Sequence, residues 1–124
     1  METAHTYSND QLRVEVSVDG GLVSIRFFGK SMLRDPNDFL MPILLRTLSE
    51  ANTEKKRLLL DFRSLAYMNS STLTPVIKVL EQARVGEGMV TVLYRKALKW
   101  QDISFSALMI FRTPDGRIEI QAGE

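Results

Sequence analysis

Cysteine is absent from this sequence. That excludes disulfides and thiolate metal sites, and it fits a reducing compartment. Histidine occurs once, as His5 in a polar N-terminal stretch, too isolated to imply a catalytic or metal-binding cluster. No charge sign is in excess: sixteen basic and fifteen acidic residues leave a formal net charge of +1. Such a balance provides no general attraction to nucleic acid or to an anionic membrane surface. Long hydrophobic runs are missing too, and every apolar run falls far short of the ~20 residues that cross a bilayer. The N-terminal stretch Met1–Asp10 lacks the apolar core of a signal peptide. A soluble cytoplasmic protein is therefore expected, with no cofactor, no metal and no membrane insertion.

What is present fits one α/β domain. At 124 residues the chain is long enough to bury most of the apolar surface that its unfolded form exposes. Residues 1–10 show no apolar repeat and read as a flexible tail, leaving 11–124 as the domain. Leu12, Val14, Val16 and Val18 alternate with polar residues, Asp19-Gly20-Gly21 signals a turn, and Val23, Ile25 and Phe27 alternate again. Together these predict an antiparallel hairpin. Gly29 to Arg34 reads as a loop. Its Gly29-Lys30-Ser31 matches the end of a phosphate-binding P-loop, but Ser24 stands where the upstream glycine is required.

Asp35-Pro36-Asn37-Asp38 predicts a helix start, and Phe39, Leu40, Ile43, Leu44, Thr47, Leu48 and Ala51 share a helical face interrupted by Pro42. Glu50 to Arg57 reads as a charged connection. Arg57 to Phe62 suits a central strand covered on both faces. Leu73, Val76, Ile77, Leu80 and Ala83 predict a second helix ended by Gly86 and Gly88. A strand over Met89–Tyr94 follows, then an amphipathic segment from Lys99 to Phe111 and a last strand over Arg117–Gln121. The expected order is β-β-α-β-α-β-α-β, a mixed sheet with a substantial parallel part and helices packed on it.

In such sheets, sites collect where a strand ends and the next helix begins, which points to Asn69-Ser70-Ser71-Thr72. Free N–H groups and the positive end of the helix dipole make that corner receptive to negative charge. A plain alternative is that one hydroxyl simply caps the helix. No nucleophile–base pair or metal ligand set is visible, so no catalytic residue is assigned and an enzyme is not expected. Arg95, Lys96 and Lys99 form a small basic cluster, either a solvated loop or a rim for an acidic partner.

The run Asp61-Phe62-Arg63-Ser64-Leu65-Ala66-Tyr67-Met68-Asn69-Ser70-Ser71-Thr72-Leu73 resembles the signature of STAS domains, the fold of anti-sigma-factor antagonists. The usual pattern there is a strand ending in Asp-Leu, a spacer, an aromatic residue, and Met/Ile-Asp-Ser-Ser/Ala-Gly-Leu. Asn69 replaces the usual Asp and Thr72 the usual Gly. Both departures make the corner more similar to the SiaC-type regulatory phosphoproteins, as do Gly29-Lys30-Ser31, Asp38-Phe39 and Pro42-Ile43-Leu44.

The resemblance implies a non-enzymatic regulator of a bacterial partner-switching pathway. A serine/threonine kinase of the anti-sigma type would phosphorylate Ser70, or less readily Ser71, and a PP2C-type phosphatase would remove the phosphate. Asn69 would orient the turn or touch the kinase. With Ser70, Ser71, Thr72, Thr74 and Lys78 it would form the surface that binds the kinase or a further effector. The rival from another class is a constitutive STAS-like scaffold, such as a subunit of a transport complex, with no phosphorylation.

Overall fold

The computed structural model describes residues 3–123. Among them are strands β1 (Thr3–Asn9), β2 (Leu12–Asp19) and β3 (Leu22–Ser31), then helix α1 (Pro36–Thr53), β4 (Arg57–Asp61) and β5 (Leu65–Met68). A 3-10 turn over Ser70–Thr72 leads into α2 (Leu73–Val85). The chain continues through β6 (Val90–Arg95), α3 (Lys99–Ser106), a second 3-10 turn over Ala107–Phe111 and β7 (Ile118–Gly123). The sheet runs β1-β2-β3-β4-β6-β7, with β5 added alongside β3. Its first two pairings are antiparallel and the rest parallel. The fold is thus the mixed α/β architecture expected.

Register explains which face is covered. Val16 pairs with Ile25, Ile25 with Leu60, Leu60 with Val92 and Val92 with Ile120, giving an apolar row across five strands. All five residues are buried. The parallel crossovers β3-α1-β4, β4-α2-β6 and β6-α3-β7 step the same way along the sheet. Because such crossovers are right-handed, their helices fall on one face. Leu40, Leu44 and Leu48 of α1, Val76 and Leu80 of α2, and Phe105 of α3 close over the apolar row in one continuous core. The opposite face carries Arg13, Glu15, Arg26, Arg57, Thr91 and Glu119 in a polar ladder.

Several local expectations change. Residues 3–9 are an edge strand with an unbroken ladder on β2, so this part of the expected tail is strand. Backbone pairing holds it without an apolar repeat, since only Tyr7 packs on the core. Residues 1 and 2 lie outside the described residues. Gly29 to Ser31 belong to β3 instead of a loop, and α1 runs through Pro42 to Thr53, absorbing part of the expected connection. Asp35 occupies the N-cap position of α1, but its side chain makes no capping hydrogen bond. At the end of α2, Arg117 donates to the carbonyls of Ala83, Gly86 and Gly88 at 3.0, 3.2 and 3.0 Å, serving the orphan acceptors there.

The unforeseen strand β5 matters most for the site. β3 pairs first with β4, up to Arg26, and then from Gly29 with β5, in a pairing whose register shifts between Gly29 and Lys30. Between those strands, the chain steps aside at Phe62–Ser64. Asp61, only 5% exposed, holds that step: its carboxylate accepts from Arg63 Nε and Nη2 at 3.0 Å each and from Arg63 N–H at 3.1 Å. Burial pushes the Asp61 carboxyl up, but the Arg63 hydrogen bonds and the Arg63 and Arg26 charges outweigh it and hold the pKa below the usual carboxylate range. Gln101, fully buried in α3, ties the same region together. Its Nε2 donates to Phe62 O at 2.7 Å and Leu65 O at 2.9 Å, while Oε1 accepts from Arg95 N–H at 2.7 Å.

Candidate functional site

β5 delivers Asn69 against the end of β3, where Asn69 N–H donates to Ser31 O at 2.9 Å. Asn69 is extended, with φ −74° and ψ 161°, and is the N-cap of the 3-10 turn. Its Oδ1 accepts from Thr72 N–H at 3.3 Å and Thr72 Oγ1 at 2.5 Å, and its Nδ2 donates to Leu33 O at 3.0 Å. Thr72 gives its one hydroxyl proton to Asn69, so Ser31 Oγ donates to Thr72 Oγ1 across 2.7 Å. The cap is therefore an amide and not one of the hydroxyls, contrary to the plainest expectation for the corner.

Both departures from the STAS pattern have a structural reason here. Thr72 is 1% exposed and joins β3 to the turn, a link that glycine could not make. It is too buried to serve as a partner contact, which corrects that expectation. Asn69 both accepts from the turn and donates to a carbonyl, whereas an ionised aspartate could only accept. Asn69→Asp should therefore lower stability by about 1–2 kcal/mol at pH 7, the scale of one lost hydrogen bond plus carbonyl repulsion. Urea unfolding checks this, and an unchanged or raised midpoint would contradict it.

The remaining hydroxyls differ. Ser71 Oγ lies 3.3 Å from both Leu33 O and Asn69 Oδ1 and shares its proton between them. Ser70 is exposed, in the first turn beyond the cap. Thr74 and Lys78 are also exposed and lie at i, i+4 along the outer side of α2, just after the 3-10 turn that carries Ser70. Arg95, Lys96 and Lys99 are solvent-facing as well.

Residues that sequence reasoning missed complete the corner. Ser31, part of the discounted Gly-Lys-Ser tripeptide, is buried beneath it. Met32, 56% exposed, sits between Ser31 and Leu33, which both bond the corner, while Tyr67, 44% exposed, lies two residues before Asn69. Behind Tyr67 packs Trp100, with ring centroids 6.2 Å apart, and Trp100 in turn meets Phe105 at 6.4 Å. The Trp100 indole N–H is buried without a hydrogen-bond partner among the described residues. Alternation of polar and apolar residues could not flag Met32 or Tyr67, because each looks like a core residue in sequence. Among the described residues no group of His, Asp and Glu is arranged to hold a metal ion, and no helix is long and apolar enough to cross a membrane.

No family model and no curated protein sequence matches the chain. Among solved structures it is similar to the crystal structure of an anti-sigma factor antagonist from Mycobacterium paratuberculosis. The two align with a TM-score of 0.61 at 15% identity, over 89% of this chain and 93% of that one. The chain has the fold of an anti-sigma-factor antagonist, the STAS-like fold. At this identity the likeness establishes the architecture alone.

Proposed function

We propose that the protein is a non-enzymatic regulator that switches partners through reversible phosphorylation of Ser70. The observation that carries this reading is the contrast within the corner. Thr72 is buried and Ser71, though exposed, is hydrogen-bonded to Leu33 and Asn69, while Ser70 is exposed at the start of a helical turn in a STAS-like fold. Ser70 Oγ attacks the γ-phosphorus of ATP on a serine/threonine kinase of the anti-sigma type, ADP leaves, and the hydroxyl proton passes to the kinase. Hydrolysis by a PP2C-type phosphatase returns the hydroxyl and inorganic phosphate.

The unmodified protein binds the kinase or another effector through Ser70, Ser71, Thr74 and Lys78, with Asn69 shaping the turn and Met32 and Tyr67 flanking it. Phosphate adds about −1.5 to −2 charges at pH 7. The domain tolerates this because the first turn of the helix offers N–H groups and a favourable dipole. A partner lying flat over the corner does not, because it would cover a desolvated dianion. Modification therefore changes binding more than folding.

Intact-mass analysis after incubation with ATP and an anti-sigma-type kinase encoded beside the gene tests the switch. One phosphoryl group is expected on the wild type and on Ser71→Ala, and none on Ser70→Ala. Absence of phosphate from the wild type would sink the switch and favour a constitutive scaffold. Ser70→Asp should lose partner binding while keeping the thermal midpoint of the wild type.

A further inference from the structure

The main path of the sheet ends in two edges, β1 and β7, with β5 set alongside β3 off that path. A free edge is a row of unpaired N–H and C=O groups, usually blunted by lysine, proline, a bulge or a covering loop. At β7 the segment around Thr113 does this for the first residue of the strand, Ile118. Thr113 N–H donates to Ile118 O at 3.2 Å, and Ile118 N–H donates to Thr113 Oγ1 at 3.0 Å. β1, Thr-Ala-His-Thr-Tyr-Ser-Asn, contains no Lys, Arg, Asp, Glu, Pro or Gly, and its ladder on β2 has no bulge.

The direction of its backbone groups follows from the neighbouring pair. Lys30 N–H donates to Gln11 O, so odd-numbered residues of β2 turn their backbone groups toward β3. Even-numbered Leu12, Val14, Val16 and Val18 then bond the odd-numbered residues of β1 opposite them. Ala4, Thr6 and Ser8 are left pointing their N–H and C=O groups outward.

We propose that β1 is a dimerisation strand. It pairs antiparallel with β1 of a second copy about a two-fold axis at Thr6, joining two sheets into one. In this register Thr6 meets Thr6, Ala4 meets Ser8 and His5 meets Tyr7, so no like charges oppose each other along the strand. The first two pairs are the ones whose outward groups can bond.

The helix side of the seam is complementary as well. Arg46 Nη2 donates to the Tyr7 hydroxyl at 2.7 Å, and Glu50 lines the groove that His5 and Tyr7 share with α1. With His5 of one copy opposite Tyr7 of the other, the Arg46 that holds Tyr7 is brought toward Glu50 of the other copy, twice by symmetry. A second copy of this chain is therefore the partner whose edge and flanking charges both match.

Sedimentation velocity of the full chain, from micromolar to submillimolar concentration, tests this with two variants of the exposed Thr6. The wild type and Thr6→Val should sediment with twice the chain mass at the upper concentrations. Thr6→Lys, which places two ammonium groups at the axis, should fall to a single chain mass with an unchanged circular dichroism spectrum. A wild type of single mass throughout, or a Thr6→Lys variant that keeps double mass, would overturn the proposal. Amide exchange of the wild type at the upper concentrations covers a misfolded Thr6→Lys variant. The Ala4, Thr6 and Ser8 amides should exchange slowly, and fast exchange there would exclude the pairing.

Discussion

Gly29→Ala should cost about 4 kcal/mol of folding stability, near the upper end for a single substitution. Gly29 has a φ of +86°, a conformation that residues with a side chain rarely adopt. A Cβ there would overlap the Gln11 carbonyl oxygen, which is backbone in the β1–β2 turn and cannot rotate away. The same position opens the pairing of β3 with β5 and borders the register shift within it. Forcing ordinary strand geometry there would misplace Lys30 and Ser31, and with them the ladder that carries Asn69. Urea denaturation is the direct check: with an m-value of about 1–3 kcal/mol/M, the midpoint should fall by more than about 1 M. A shift within experimental error would show that the turn can yield and that Gly29 is not a fixed point of the fold.

The second large effect is expected at Gln101. Gln101→Leu keeps about the same volume, so it tests the hydrogen bonds more than the packing. It removes a buried amide that serves Phe62 O, Leu65 O and Arg95 N–H. Phe62 O also accepts from Leu65 N–H at 3.0 Å, so the cost falls mainly on the other two groups. Buried polar groups left unpaired cost about 1–3 kcal/mol each, which sets an expected loss of about 3 kcal/mol. Denaturant unfolding measures it. Amide exchange should also quicken at Arg95, while distant β2 amides change only with global stability. A variant as stable as the wild type would mean that water replaces the amide at no cost.

These residues mark where reading the sequence succeeds and where it stops. The period-two runs of β2 and β3 and the apolar run of β4 were legible because each buries a continuous row of side chains. The helical stripe of α2 was legible for the same reason. β1 was not, because its backbone pairing leaves little trace in a polar sequence. β5 was not, because Leu65 and Met68 are buried while Ala66 and Tyr67 are exposed, a spacing that breaks the strand period of two. At the corner, the residue types and the strand-to-helix position directed attention to Asn69–Thr72. The division of labour among those residues depends on β3, some forty positions away in sequence. No local pattern reveals that Ser31 fixes Thr72, or that Leu33 is the reason for an amide at position 69.

The packing behind Tyr67 also equips the protein with its own optical probe. Trp100 is the sole tryptophan in the sequence, and its indole N–H is shielded from water. An indole so placed emits to the blue of one in water, and the adjoining phenol ring of Tyr67 is partly open to solvent. Whatever settles on Tyr67 alters the surroundings of that indole directly. Binding over Tyr67 can thus be followed as a change in ultraviolet emission, with no label attached and every contact around Asn69 left intact.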